Sequence, residues 1–175
     1  MKYLPPEGLT PNGLDEGEIT TLNEDRFKST PPQSAYDPPL ILFKKHEDLP
    51  VAYWNKGPIA FRATIVGIGS SSDDPLLWQM YKQLVERHRT YQLSCTMHGS
   101  RSFVSKATAI NKQDIDFLPF PENPHDLDLS YWEQALQDDT LDYFCDFIRL
   151  GQNSVLLKDS ATAVQLDEYT ELFCK

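Results

Sequence analysis

The sequence predicts an α+β protein: a small mixed or antiparallel sheet packed with two to three helices, behind a long irregular N-terminal segment. Three observations carry this. Short apolar, β-rich runs bounded by turn residues fill positions 40–68. Apolar side chains recur near every 3.6 residues over 75–90 and again from Ser130. The first 37 residues are rich in Pro, Gly and acid, with Pro pairs at 5–6 and 31–32, and no regular period survives there. The expected division is an extended lead-in over 1–37, a sheet-plus-helix core over 38–122, and an acidic helical segment over 123–175. With 175 residues, the chain is long enough to bury a core without disulfides or metals. Its 13 prolines and 40% apolar content point to much irregular chain around a modest core.

Leu40-Ile41-Leu42-Phe43, between Pro39 and Lys44-Lys45, reads as the first core strand. Positions 51–54 read as a second, closed by the turn residues Asn55-Lys56-Gly57-Pro58. A third covers 59–68. The run Ser70-Ser71-Ser72-Asp73-Asp74-Pro75 then has helix-start chemistry. Leu76, Leu77, Met80, Tyr81, Leu84 and Val85 give the helix at 75–90 its apolar face, with Lys82, Arg87 and Arg89 outside. From Tyr91 to Ala109 the chain is small, polar and basic and is expected to be loop or irregular strand. Leu118-Pro119-Phe120-Pro121 cannot be helix interior. Ser130-Tyr131-Trp132-Glu133 matches a capping box, opening a helix whose buried stripe is Trp132, Leu136, Tyr143, Phe144, Phe147 and Ile148, with Gly151 as its stop. Leu166, Tyr169, Leu172 and Phe173 share one face of a final short helix that runs out at Lys175, from which a truncated chain is expected.

The net charge of −10 is unevenly spread. Residues 1–38 carry −4, residues 39–112 carry +5 and three of the four histidines, and residues 113–175 carry −11. A basic middle between acidic flanks suits a protein with one face for phosphates, or simply a solvated surface. No run approaches the roughly 18 apolar residues of a membrane helix, and no signal-peptide pattern opens the chain. Cys95, Cys145 and Cys174 are odd in number and far apart, which suits reduced thiols in the cytoplasm and offers no metal-ligand spacing.

Catalytic patterns are fragmentary. Asp37-Pro38-Pro39-Leu40 is close to a motif that holds a target amine, but Leu40 replaces the aromatic that would stack on a flipped base. Val66-Gly67-Ile68-Gly69 contains one Gly-x-Gly with no acidic partner downstream of a following strand. Cys95 and His98 are close in sequence, yet a structural cysteine beside a surface histidine is the simpler reading. No nucleophile elbow, phosphate loop or metalloprotease motif is present.

The run Phe61-Arg62-Ala63-Thr64-Ile65-Val66-Gly67-Ile68 precedes a helix with Leu76-Leu77 and Met80-Tyr81 and a Ser/Gly stretch at 94–102. The segment Asn111-Lys112-Gln113-Asp114-Ile115-Asp116-Phe117-Leu118-Pro119-Phe120-Pro121 closes the series. This succession resembles the C-terminal, TaqI-type specificity region of adenine-N6 DNA methyltransferases and fused restriction-modification enzymes. There, a Phe-x-x-x-Ile-x-Gly-Ile strand leads through a helix and a Ser/Gly stretch to Leu-Pro-x-Pro. The likeness covers roughly residues 38–121, and more faintly 162–175. It departs where the family helix carries Leu-Asn-Ser, since this chain has Val85-Glu86-Arg87.

The resemblance implies a non-catalytic DNA-recognition fragment of a bacterial adenine methyltransferase. Its partners would be double-stranded DNA and a methyltransferase catalytic domain or subunit, with S-adenosylmethionine confined to that missing catalytic domain. On this reading Lys44, Lys45, Lys56, Arg87 and Arg89 contact phosphates, while His98, Ser100, Arg101, Ser102 and Lys106 reach into a groove. Arginine bonded twice to guanine is worth about 1–3 kcal/mol of discrimination. Against it, each of these taken singly is more simply an exposed side chain without a partner. Arg62 is either a buried ion-pair partner or a DNA contact, and Trp54 and Trp132 are core residues rather than stacking platforms. The competing reading is an acidic protein-interaction module, or a DNA-mimic inhibitor of a defence system.

Overall fold

A computed structural model describes residues 1–22, 33–70, 75–99 and 110–150, leaving aside the side chains of 33 and 147–150. The protein is α+β, as its sequence predicts. It divides into two compact units, Met1–Glu86 and Arg87–Lys175. The boundary thus falls inside the stretch 38–122 that was expected to form one core.

The first unit holds β1 (Lys2–Leu4), β2 (Leu9–Thr10), β3 (Gly13–Leu14), β4 (Thr20–Thr21), β5 (Leu40–Lys44), β6 (Val51–Trp54), β7 (Ile59–Phe61), β8 (Ile65–Gly69) and the helix α1 (Pro75–Glu86). One sheet runs β6-β5-β8 and is antiparallel throughout. A second runs β4-β1-β7, with β1 antiparallel to β4 but parallel to β7, and β2 and β3 form a hairpin. The antiparallel register pairs Leu40 with Trp54 and Phe43 with Val51. Because successive side chains leave a strand on opposite faces, Leu40, Leu42, Ala52 and Trp54 share one face. There they join Leu4, Leu9, Ile59 and Ile65 in a core from which water is excluded. On the other face Tyr53 meets Trp78 and Tyr81 of α1, with ring centroids 4.8 and 5.6 Å apart. Ile41 and Phe43, also fully buried, lie on that face. A strand covered on both sides reads as an unbroken apolar run, which is the pattern at 40–43.

Residues 1–22 are not an irregular lead-in: Leu4 and Leu9 are fully buried, and β1 is hydrogen-bonded between β4 and β7. The strands are two or three residues long, too short to show a period, and β1 pairs with chain as distant as Ile59–Phe61. Positions 59–68 are not one strand either. A tight turn, closed by the Ile65 amide donating to the Arg62 carbonyl at 2.8 Å, breaks them into β7 and β8, which join different sheets.

The second unit contains α2 (His88–His98), α3 (Lys112–Asp116) and α4 (Tyr131–Leu150). The helix expected over 75–90 ends at Glu86, because Arg87 leaves the helical region (φ −120°, ψ 35°) and serves as the N-cap of α2. The polar stretch from Tyr91, expected to be loop, is helical to His98. Its buried residues Tyr91, Gln92, Cys95 and Thr96 fall at one- and four-residue steps along a single face, and the Thr96 hydroxyl donates to the Gln92 carbonyl at 2.9 Å. Tyr91 stacks on Phe120, centroids 5.2 Å apart, and Ile110, Ile115 and Leu118 are buried in the same unit.

The predicted capping box of α4 is present. The Ser130 amide donates to the Glu133 carboxylate at 2.8 Å, and the Glu133 amide to the Ser130 hydroxyl at 3.4 Å. The buried stripe is rotated from the one expected. Gln137, Leu141 and Cys145, four residues apart, are buried, while Trp132 is 54% exposed. The expected stop at Gly151, the side chains of Phe147 and Ile148, and the helix at 166–175 lie outside the described residues. Among those residues no helix is long and apolar enough to cross a membrane.

Candidate interaction surface

The side chains expected to meet phosphates sit at both ends of β5 in the first unit and against carboxylates in the second. In the first unit, Lys44 ends β5, and its Nζ donates to the Leu9 carbonyl at 3.2 Å. Lys45 is half-buried next to it, its amide held by the Thr64 carbonyl at 2.9 Å. Lys56 follows β6, and in the antiparallel register that places it at the opposite end of β5 from Lys44. Four residues of strand separate the two ends, about 13 Å. Lys56 Nζ is bound to both Glu16 carboxylate oxygens, at 2.5 and 2.7 Å.

In the second unit Arg87 and Arg89 are engaged by the protein's own carboxylates. Arg87 reaches Asp128 Oδ1 through Nη2 at 2.6 Å and Nε at 3.2 Å. The same carboxylate accepts from His125 Nδ1 at 2.7 Å. The His125 bond first, and then the guanidinium, hold the Asp128 carboxyl below its ordinary value. Arg89 clamps α2 to α4, with Nε on Asp138 Oδ1 at 2.7 Å and Nη2 on the Asp138 carbonyl at 3.2 Å and Asp142 Oδ1 at 3.1 Å. Partial burial alone would lower the Arg89 pKa, but the bonds to Asp138 and Asp142 outweigh it and the net shift is upward. Exposed His98 turns Nδ1 to the Ser94 carbonyl at 3.1 Å. Ser100, Arg101, Ser102 and Lys106 lie outside the described residues. Arg62 is exposed in the β7–β8 turn, so of its two expected roles the buried ion pair is not the one it fills.

The catalytic look-alikes acquire structural explanations. Gly67 is not a turn before a helix. It lies within β8 opposite Leu42, and a Cβ there would sit 2.7 Å from Phe61 Cζ. Phe61 in turn packs edge-on against Tyr36. The six-residue step from Phe61 to Gly67 is the reach of a ring folding over the next strand. Cys95 is buried, and that burial first, with Asp114 second, pushes its thiol up to about 12. Such a sulfur is no nucleophile at neutral pH. His46, Glu47 and Asp48 bring ligand-type atoms within 4.8 Å of one another. The arrangement is local: the two ring nitrogens face different carboxylates, at 3.4 and 3.3 Å, and the Leu49 amide closes the turn on the His46 carbonyl.

The second unit does present an apolar surface. Tyr131 and Trp132 are 76% and 54% exposed at the start of α4, their rings edge to face at 5.2 Å. Beside them Glu133, Leu136, Gln137 and Thr140 occupy one face of α4, and Thr90, Leu93 and Met97 one face of α2. Together with Leu129 they line an open groove of about 310 Å³. The sequence signal for this surface is Trp132 itself, an aromatic inside a capping box that helical spacing alone places in the core.

Comparison with family models, with curated proteins and with solved structures finds no match to this chain.

Proposed function

We propose that this protein is a non-catalytic, acidic protein-interaction module whose contact surface lies on the second unit. The observation that carries the reading is the state of its charges. Arg87, Arg89 and Lys112 are each paired with a carboxylate of the same chain, while Tyr131, Trp132 and Leu129 stand exposed among further acids. An arginine that grips phosphate turns its Nε and Nη2 donors to the ligand, and these two turn theirs to Asp128, Asp138 and Asp142. Exposed aromatic anchors ringed by charge are instead the usual anatomy of a protein-docking patch, and here the ring selects a basic partner.

A second reading, DNA recognition within a restriction-modification methyltransferase, is favoured by one observation. Lys44 and Lys45 lie beside the turn that carries Arg62, since the Lys45 amide bonds to Thr64. The two readings separate in one experiment, in which the full chain is titrated with a labelled DNA duplex and with a Lys-rich amphipathic peptide at low ionic strength. The interaction module gives no saturable DNA binding. It binds the peptide, and Trp132→Ala, at an exposed position, weakens that binding. Duplex binding with a log-log salt slope of about −0.9 per phosphate contact, abolished by Lys44→Glu with Lys45→Glu, would overturn it in favour of the second reading.

A further inference from the structure

The tip of the β2–β3 hairpin carries the one Asn-Gly pair of the chain, Asn12-Gly13. The strand register pairs Thr10 with Gly13, so only Pro11 and Asn12 form the loop. The Asn12 amide donates to the Thr10 hydroxyl oxygen at 3.3 Å, and that hydroxyl donates to the Gly13 carbonyl at 3.1 Å. Gly13 takes a left-handed φ of +107°, which closes the loop and which a side chain would resist. Asn12 is exposed, and its carboxamide makes no hydrogen bond among the described residues. A Cβ placed on Gly13 would meet nothing within 4 Å, so nothing crowds the backbone there.

An asparagine side chain can close a five-membered ring on the nitrogen of the next residue, and the two reacting groups are held together by the chain itself. A side chain on that next residue hinders the closure, and hydrogen bonds on the carboxamide hold it away. The other described asparagines each meet one of these obstacles. Asn55 is followed by Lys56, whose side chain is tied to Glu16. Asn111 is followed by Lys112, and its side chain accepts from the Asp114 amide as the cap of α3. Asn123 is followed by Pro124, which has no N–H to lose, and its carboxamide is engaged by His125 and Asp126. Asn12 meets neither obstacle. Because β2 and β3 have only two residues each, opening the tip to bring the groups together breaks few bonds.

We propose that Asn12-Gly13 is a site of self-modification by deamidation. The Gly13 nitrogen attacks Asn12 Cγ, and a new C–N bond forms there as the bond to the side-chain nitrogen breaks. That nitrogen departs as ammonia with the Gly13 N–H proton, leaving a succinimide. Water then opens either ring carbonyl to give aspartate or isoaspartate, and nothing is oxidised or reduced. Both products place a new carboxylate on a hairpin that runs directly into Asp15 and Glu16. Isoaspartate also adds a carbon to the backbone of the loop, which disturbs the Thr10–Gly13 pair. The neighbouring Leu9 is fully buried and its carbonyl accepts from Lys44 Nζ, so the disturbance reaches the core.

The test holds the full chain at mildly alkaline pH for several days, folded and in urea, and maps its peptides by mass spectrometry with electron-transfer fragmentation. The folded chain should gain about 1 Da at Asn12, the difference between amide and acid, with isoaspartate the larger product. Asn12 should convert about tenfold or more faster than Asn55, Asn111 and Asn123 in the same digests. Asn12→Gln, which would have to close a larger ring, should abolish the change at this position and leave Tm as it is. The isoaspartate form should melt below the fresh protein, whereas Asn12→Asp, with the charge but no added backbone carbon, should not. Conversion at Asn12 that is no faster than at Asn55, or that occurs only in urea, overturns the proposal. An isoaspartate form that melts with the fresh protein overturns its consequence for the hairpin.

Discussion

Removing the Arg89 guanidinium measures how much of the second unit is held by charge. Arg89→Ala deletes the bonds to Asp138 Oδ1 at 2.7 Å, the Asp138 carbonyl at 3.2 Å and Asp142 Oδ1 at 3.1 Å. All three partners are on α4. The side chains are substantially exposed, 42% for Arg89 against 48% and 70% for the two aspartates, so each ion pair is screened and worth only about 0.2–1 kcal/mol. The variant also leaves Asp138 and Asp142 facing one another at a four-residue step, which adds about 0.2–0.5 kcal/mol of like-charge repulsion. The expected cost is therefore about 1–2 kcal/mol, or a fall of roughly 3–8 °C in Tm. Urea unfolding of Arg89→Ala, Asp138→Asn and the double variant gives the coupling energy directly. In roughly 1 M salt, where the screening length is about 3 Å, the cost of Arg89→Ala should shrink to about half. A coupling below about 0.2 kcal/mol, or a cost unchanged by salt, would refute the reasoning and leave Arg89 available as a ligand contact.

Other residues give independent checks. Asp128 should titrate in an NMR pH series below its ordinary value of 3.8, and Arg87→Met should move it back upward. Because the folded-state value is depressed, its contribution to stability is present above pH 3.8 and lost as acid protonates the folded carboxylate, so Asp128→Asn should lessen acid sensitivity below about pH 4. Cys95, with its thiol raised to about 12, should resist iodoacetamide at pH 8 in the native protein and be alkylated once urea unfolds it, as read by peptide mass spectrometry. Gly67→Ala places a methyl 2.7 Å from Phe61 Cζ, and since that ring is wedged against Tyr36 the substitution should cost about 1–2 kcal/mol in chemical denaturation. A neutral result there would mean the ring swings aside freely.

What could be read in the sequence was whatever rests on local chemistry. Ser130 and Glu133 are three residues apart and complete each other's hydrogen bonds, so the start of α4 was visible without knowing anything it packs against. Residues 40–43 are apolar without interruption because both faces of β5 are covered, and the turn at 55–58 carries Gly57 at φ +104°. The misreadings involve long-range partners. Tyr3 has its strand neighbour at Ala60, and no local pattern reveals a strand whose hydrogen bonds are made so far away. In α2 the buried face includes Gln92 and Thr96, so polarity suggested a loop. The Gln92 side chain is instead buried against Cys145, Nε2 to Sγ 3.6 Å, and the Thr96 hydroxyl satisfies itself on its own helix. In α4 the aromatic Trp132 suggested the core, yet it is Gln137 that is buried. The groove was therefore hidden by two inversions, a polar residue placed inside and an aromatic one left outside.

The segregation of charge along the chain has a consequence opposite to the one it first suggests. A basic middle flanked by acids looks like a surface reserved for phosphates, provided that the basic segment stays apart from the acids after folding. In this protein they meet. Lys56 binds Glu16, 40 residues earlier, Arg87 binds Asp128, 41 residues later, and Arg89 reaches Asp138 and Asp142, 49 and 53 residues later. Each pair joins the basic middle to a flank within one unit. Blocks of opposite sign in sequence can therefore code for contacts between segments, each neutralising the other where they pack. The acids left over, with the exposed Trp132 among them, set the charge a partner of this surface would meet. By this logic a count of lysines and arginines says little about a nucleic-acid face, because a carboxylate of the same chain can occupy each of them, as it does for three of the five side chains that the resemblance assigns to phosphate.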